Sequence, residues 1–445
     1  MPFCVSGLRA SLPTGSDAAR FTVRLPLRRL LPMTADRPAF VTAAGARRAT
    51  AFALVAVFLD VVGFGLIIPV LPRLIEEVGH TGLDEAARIG GWLFAAFSLA
   101  QFMFAPLAGA LSDRFGRRPL LLIAIAGLAV DYVVQALAPT VLWLFVGRLI
   151  AGVCGSSHVI AGACLADVSA PENRARAFGR MTAAFGLGFV LGPAIGGLLG
   201  EFGTRVPFWS AAALASANFL FGLLALPETL PRDSRRAFRW REANPLGVLA
   251  VFARYPGVLP YALVLTVFFF GTSVYPAVWS FWGMAKYNWS ATTVGLTLAA
   301  SGLAVALLQG FGTGPAVARW GERRMAAVGI AGAAATCIGF ALSPTTAVVV
   351  AMLVINAVEG FAHPMLSALM SKAVPEDTQG ALQGGISALM NIAMLIGAIF
   401  YTQAFAYFLS EAAPVRSPDV SYFIAAALML AALALFLRQA RRMAA

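Results

Sequence analysis

The chain has 445 residues, 59% of them hydrophobic and only 12% charged, with a mean hydropathy of +0.79. Soluble chains are about a quarter charged, so the polar residues are too few to clothe a soluble enzyme, a disordered protein or a disulfide scaffold. The formal charge of +12 would suit a nucleic-acid partner, but the distribution of the basic residues argues against one.

An apolar helix crosses a bilayer in about 20 residues. Spans are predicted at 49–72, 89–111, 119–138, 140–164, 180–200, 206–226, 258–283, 291–316, 325–342, 345–368, 383–408 and 421–437. The predicted fold is therefore an all-α membrane protein of twelve helices. Residues 1–48 precede the first span and lack the apolar run of a signal peptide. They read either as a disordered cytoplasmic tail or as sequence upstream of a true start at Met33. With that tail in the cytoplasm, 27 of the 33 basic residues lie on the same side. Five lie outside (Arg73, Arg88, Arg205, Lys286, Arg416), and Arg148 lies inside a span. This asymmetry places both termini in the cytoplasm of a bacterial-type inner membrane. The basicity is topological, and no nucleic-acid partner is expected.

The polar segment 228–257 divides the spans into an N-terminal half, 49–227, and a C-terminal half, 258–437, followed by a short tail, 438–445. A weak repeat supports the division. GALSDRFGRRP at 109–119 and GPAVARWGERR at 314–324 each follow the second span of a half. Matching turns in two six-helix halves point to a duplicated transporter with its site between the halves.

Several polar groups are costly inside a bilayer and therefore single themselves out. Asp60 falls near the middle of the first span, Asp131 just past the centre of the third, and Arg148 in the fourth. Gln101 and Gln135 lie in the second and third spans. Glu359 and His363, with Asn356 one turn earlier, are spaced to share one helix face in the tenth span. The alternative for each acid is a structural hydrogen-bonding role. In the first repeat, Asp113 sits among Arg114, Arg117 and Arg118, between Gly109 and Gly116. That cluster reads either as a positive-inside anchor or as a latch that exchanges partners between states. Asp167, before Arg174 and Arg176, reads as a second gating charge. Cys4, Cys154, Cys164 and Cys337 have no metal-like spacing and are read as small packing residues. With three His and no Gly-x-Ser-x-Gly, no metal site, cofactor or enzyme activity is expected. The aromatic residues Phe268–Phe270, Trp279, Phe281 and Trp282 read as core or lipid-facing packing, with a drug cavity as the alternative.

These motifs carry a resemblance. GALSDRFGRRP resembles the loop signature of the major facilitator superfamily, and GLGFVLGPAIGG at 186–197 resembles the span-five signature of its proton-coupled drug antiporters. LDVVGFGLIIPVLP, FSLAQFMFAPLAG, DYVVQALAP and LADVSAPENRARAFG together resemble the tetracycline-exporting branch, over about residues 50–405. The resemblance implies proton coupling through Asp60, Asp131 and Arg148, and a polar cavity including Gln101. It implies gating by the 109–118 cluster and close packing at Gly188, Gly192, Pro193, Gly196 and Gly197. It also exposes a departure: the branch's acid in span nine and His in span eight fall here near Ala333 and Val305. Glu359 and His363 read as a relocated proton or cation site, or else as a mutually satisfied pair. The expected function is proton-driven export of an amphiphilic drug by a monomer in the bilayer. The alternatives are an importer of a small metabolite and a non-transporting membrane sensor.

Overall fold

The computed structural model describes residues 42–235, 237, 247–375 and 378–442. Among them every regular element is helical. The N-terminal half comprises α1 (Ala43–Ile67), the short α2 (Leu71–Gly79), α3 (Leu83–Phe115), α4 (Arg117–Ala136), α5 (Val141–Cys154), α6 (Ser157–Val168), α7 (Arg174–Gly200) and α8 (Val206–Ala225). After α9 (Ala250–Arg254) come α10 (Leu259–Thr272), α11 (Val274–Tyr287), α12 (Ala291–Leu307), α13 (Thr313–Leu342), α14 (Thr346–Asn356), α15 (Ala362–Ser371), α16 (Gln379–Leu409) and α17 (Val420–Arg442). The first helix begins earlier than the predicted span because Thr42 caps it, its hydroxyl accepting from the Gly45 N–H at 3.1 Å. Only Thr42 to Arg48 of the tail 1–48 lie within the described residues.

Among the described residues eleven helical stretches are long and apolar enough to cross a membrane, and one of them, Ala291–Leu342, has 52 residues. At 1.5 Å per residue it would run about 78 Å, against a hydrocarbon core of about 30 Å. It instead reverses at Gly321, where φ is 76° and ψ 159°, and so makes two spans. The total is twelve. Gly116, the matching glycine of the first repeat, also has a positive φ, 108°. A side chain at either position would be strained, so the repeated turn is a backbone requirement written into the sequence.

Among the described residues three spans are broken. Span four is α5 and α6, interrupted at Gly155–Ser156; span seven is α10 and α11, interrupted at Ser273. Span ten is α14 and α15 joined by a 3₁₀ turn, Ala357–Phe361. Spans four and ten hold the same place in their respective halves. A π turn, Leu308–Gly312, lies beside the break in span ten, and the Gln309 amide donates to the Gly360 carbonyl at 3.5 Å.

The halves meet along α7 against α12 and α3 against α16. Their contacts gather at the end opposite the arginine-rich turns. There the Ser280 hydroxyl donates to the Ile68 carbonyl at 3.3 Å, and the Gln403 amide to the Arg88 carbonyl at 3.3 Å. The Thr292 hydroxyl donates to the Glu201 carboxylate at 2.8 Å, and the Thr292 N–H to the same oxygen at 3.4 Å. These bonds hold the Glu201 carboxyl below the usual carboxylate range. Toward the basic end no hydrogen bond or ion pair joins the halves among the described residues, and nothing lies within 4 Å of the space a Cβ would take at Gly109 of α3 or Gly186 of α7. The seam is closed at one end and splayed at the other.

Candidate functional site

The break in span four sets up the first cluster. With the chain turned at Gly155–Ser156, the Ser157 hydroxyl donates to Asp60 Oδ2 at 2.6 Å, and the Asn218 amide reaches Oδ1 at 3.4 Å. The freed Gly155 carbonyl accepts from Gln101 Nε2 at 3.3 Å and contacts His158 Nδ1 at 3.0 Å.

The second cluster is buried between α4 and α5. Gln135 Nε2 donates to Asp131 Oδ1 at 2.6 Å, while Arg148 donates to Gln135 Oε1 from Nε at 3.2 Å and Nη2 at 2.8 Å. A buried guanidinium ordinarily needs a carboxylate or several carbonyls to offset its lost hydration. Among the described residues Arg148 pairs instead with one side-chain amide, backed by Phe97, whose ring centre lies 6.0 Å away. Asp131 is fully buried, and its Oδ2 meets no donor.

The third cluster surrounds span ten. The 3₁₀ turn carries Glu359 out of the α-helical register assumed for the pair, and no ion pair joins Glu359 to His363 among the described residues. This corrects the mutually satisfied pair. The His363 ring packs on Phe269, centroids 5.3 Å apart. Asn356 Oδ1 accepts from the Tyr275 hydroxyl at 3.1 Å and the Thr336 hydroxyl at 2.7 Å. Glu359 Oε2 is buried without a donor.

Between the halves lies a cavity of about 540 Å³. The N-terminal half lends it Phe64, Phe94, Arg148 and Phe189; the C-terminal half lends Phe268, Phe269, Tyr275, Trp279 and Phe281. Asn356, Glu359 and His363 line it too, together with Gln309 and Val305. Asp60, Asp131, Gln101 and Gln135 lie off its wall, the last two bonded as described above. Phe268, Phe269, Trp279 and Phe281 are at once packed in the core and exposed to the cavity, so the two alternatives for them merge. Trp282 belongs to the core alone, its indole N–H donating to Asp419 at 2.8 Å. Ala333 is buried, far from any titrating role.

At the basic end, Arg117 is the hub. Its guanidinium meets Asp113 at 2.6 Å, Asp167 at 3.1 Å and the Ser112 hydroxyl at 2.6 Å, and its backbone N–H donates to Glu228 at 2.9 Å. The Thr229 hydroxyl adds a bond to Asp167 at 3.2 Å. Arg118 caps the Leu223 carbonyl at 2.9 Å, and Arg114 lies over the Phe115 ring at 5.1 Å. Glu228 and Thr229 went unread in the sequence because they follow the last helix of the half, where only a linker was visible. Ser157, Asn218 and Tyr275 were missed as well. The Gly-Ser-Ser run was the available signal for Ser157.

In α7, Gly188, Gly192 and Gly196 face α1, packing on Val61, Val62 and Leu66. Gly197 faces α12, whereas Pro193 sits between the two helices, its ring against Gly65 of α1 and its carbonyl toward Gly295 of α12. Cys154, Cys164 and Cys337 are free thiols, the last two buried.

The Major Facilitator Superfamily sequence model matches residues 53–285 and 262–444. The chain is 40% identical to "Tetracycline resistance protein, class C" of Escherichia coli over 356 residues, 79% of this chain and 88% of that protein. It is 36% identical to the class G protein of Vibrio anguillarum, over 80% of this chain and 90% of that one. The fold matches the crystal structure of the human organic anion transporter MFSD10 (TETRAN) with a TM-score of 0.66 at 23% identity, covering 88% of this chain and 99% of that one.

Proposed function

The chain belongs to the Major Facilitator Superfamily and is a multi-pass membrane protein, and we propose that it is a proton-coupled antiporter exporting an amphiphilic, drug-like compound by alternating access. One observation carries this reading. An aromatic cavity between the halves holds ionisable groups that a membrane interior tolerates only for a purpose, and it is sealed at one end. The basic end is the cytoplasmic one by the positive-inside rule, which makes this the inward-facing state. The moving bodies are the halves 49–227 and 258–437, joined by the linker 228–257. The relatives' printed names speak of tetracycline resistance, so a tetracycline-like amphiphile is the first substrate to try.

In this reading Asp60, Asp131 and Glu359 take up and release protons, with Arg148 and His363 setting the charge around them. The protein works as a monomer in the inner membrane, on small molecules and protons, with no enzymatic step. The test uses everted membrane vesicles energised to be acidic inside. Adding the amphiphile should release protons from the lumen as substrate is taken up, and a protonophore should abolish uptake. Asp60→Asn and Asp131→Asn should each insert normally yet stop gradient-driven uptake. Uptake indifferent to the protonophore would sink the antiporter.

A further inference from the structure

Among the described residues, the hydrogen bonds between the halves join neutral groups except at one residue. Ser280 and Gln403 reach the backbone carbonyls of Ile68 and Arg88, whereas Glu201, which follows the last residue of α7, brings a carboxylate to the other half. It lands on the first turn of α12. There the Ser290 hydroxyl accepts from the Thr293 N–H at 3.3 Å. The Thr292 N–H is left to donate to Glu201 Oε1 at 3.4 Å, and the Thr292 hydroxyl donates to the same oxygen at 2.8 Å. A carboxylate is favoured at a helix N-terminus, where N–H groups without helical partners and the helix dipole meet it. Two glycines of α7 set the approach. A Cβ at Gly197 would fall on the Ala291 carbonyl oxygen, and one at Gly200 would come within 3.1 Å of the Ala291 side chain. The bonds to Glu201 are exposed. Water can therefore take over both partners when the helices part, and no buried group is orphaned. A contact with these properties can be made and broken once per cycle.

We infer that Glu201 is the latch of the closed end: its carboxylate caps α12 across the seam in this state, and the transport cycle breaks that cap each time the end opens. The inference rests on the alternating-access reading and adds to it a positioning residue that sets the balance between the two states. Charge is part of the latch. The capping bonds hold the carboxyl below the usual carboxylate range while the end is closed, and the group returns to that range once they are gone. Ionised Glu201 thus favours the closed end at neutral pH, and this preference is lost as the pH falls through the carboxylate range. The charged group that bears on Glu201 is Arg73 of α2, which acts in the same direction. Arg205 pairs with Glu77, and from the other half Glu201 meets the uncharged Ser290 and Thr292.

The test is a distance measurement on the purified full-length protein in detergent, which does not depend on transport. Spin labels on Phe202→Cys and Val415→Cys, both exposed beyond the closed end on opposite halves, report its opening. The native cysteines are replaced by alanine throughout. At pH 7, Glu201→Gln should raise the ratio of long to short distances at least about threefold over the parent protein. Thr292→Val should shift the ratio in the same direction. Thr292→Val added to Glu201→Ala should change little beyond Glu201→Ala alone, because the two residues share one contact. As the pH falls below the carboxylate range the ratios of parent and Glu201→Gln should converge, since a protonated Glu201 has lost the charge that glutamine lacks. Equal ratios in parent and Glu201→Gln at pH 7, a difference that persists undiminished at low pH, or fully additive effects at 201 and 292 would each overturn the inference. Proton-driven uptake of a tetracycline alongside such a result would leave the export reading standing. Distances that shift as expected in a protein that takes up no amphiphile would keep the latch and remove the export reading.

Discussion

At the scale of single residues, Gln135 shows how a neutral side chain can serve two charges. Its amide oxygen faces Arg148 and its amide nitrogen faces Asp131, at 2.8 and 2.6 Å. Each of the three side chains is nearly or fully buried. Removing one partner of a buried group leaves the other unsatisfied, at a cost of about 1–3 kcal/mol each. Gln135→Leu strands an arginine and an aspartate at once. It is expected to lower the thermal unfolding temperature in detergent clearly and to abolish transport, whereas Gln135→Ala should do the same only where water cannot enter. A Gln135→Leu protein that melts and transports like wild type would show that the bridge is dispensable. Sequence reading found all three members, because charged and amide groups stand out in apolar spans. It could not pair them, since the contact depends on how α4 lies against α5.

At the scale of elements, the chain was legible where composition sets the outcome and illegible where packing does. Span number followed from apolar run length, and the repeated turn from Gly116 and Gly321. The breaks in spans four, seven and ten did not follow, because Gly155–Ser156, Ser273 and Ala357–Phe361 lie inside runs apolar enough for continuous helix. Across the 3₁₀ turn the four-residue spacing brings Glu359 and His363 to the same cavity wall without pairing them. The helix seam offers a sharper test. At Gly295, in α12, an added Cβ would fall on the Pro193 carbonyl oxygen of α7, which is backbone and has little room to yield. At Gly186, lower on α7, it would meet nothing within 4 Å. Gly295→Ala should therefore hold the outer end apart, raising thiol labelling of a cysteine placed there and slowing transport. Gly186→Ala should leave that labelling as in wild type. Equal labelling in Gly295→Ala and wild type would mean the seam can close by another path.

At the scale of the whole molecule, alternating access requires two gates that are not closed together, and the structure shows what joins the halves at one end. The closed end joins the halves through α7–α12 and α3–α16. The charged cluster at the basic end ties α3, α4 and α6 to the segment after α8, all within the N-terminal half or at its edge. Here it is thus a clamp within one half, and under the proposed alternating access it would trade partners when the basic ends approach. A simple two-residue latch would predict that exchanging Asp113 and Arg117 restores function lost in either reversal. The geometry predicts otherwise. Arg117 bridges two acids, Asp113 at 2.6 Å and Asp167 at 3.1 Å, and also meets the Ser112 hydroxyl. In the exchanged protein a carboxylate at 117 would face Asp167, and the arginine at 113 would have to span both. Like charges in contact repel, and the arginine's fork is lost from the buried position. Asp113→Arg, Arg117→Asp and the double exchange should therefore all transport poorly. Adding Asp167→Asn to the exchange should recover a measurable part of the activity, since it removes the new repulsion. Vesicle uptake rates across these four variants, normalised to inserted protein, decide the matter. Full recovery in the double exchange alone would reduce the cluster to a single ion pair and remove Asp167 from the gate.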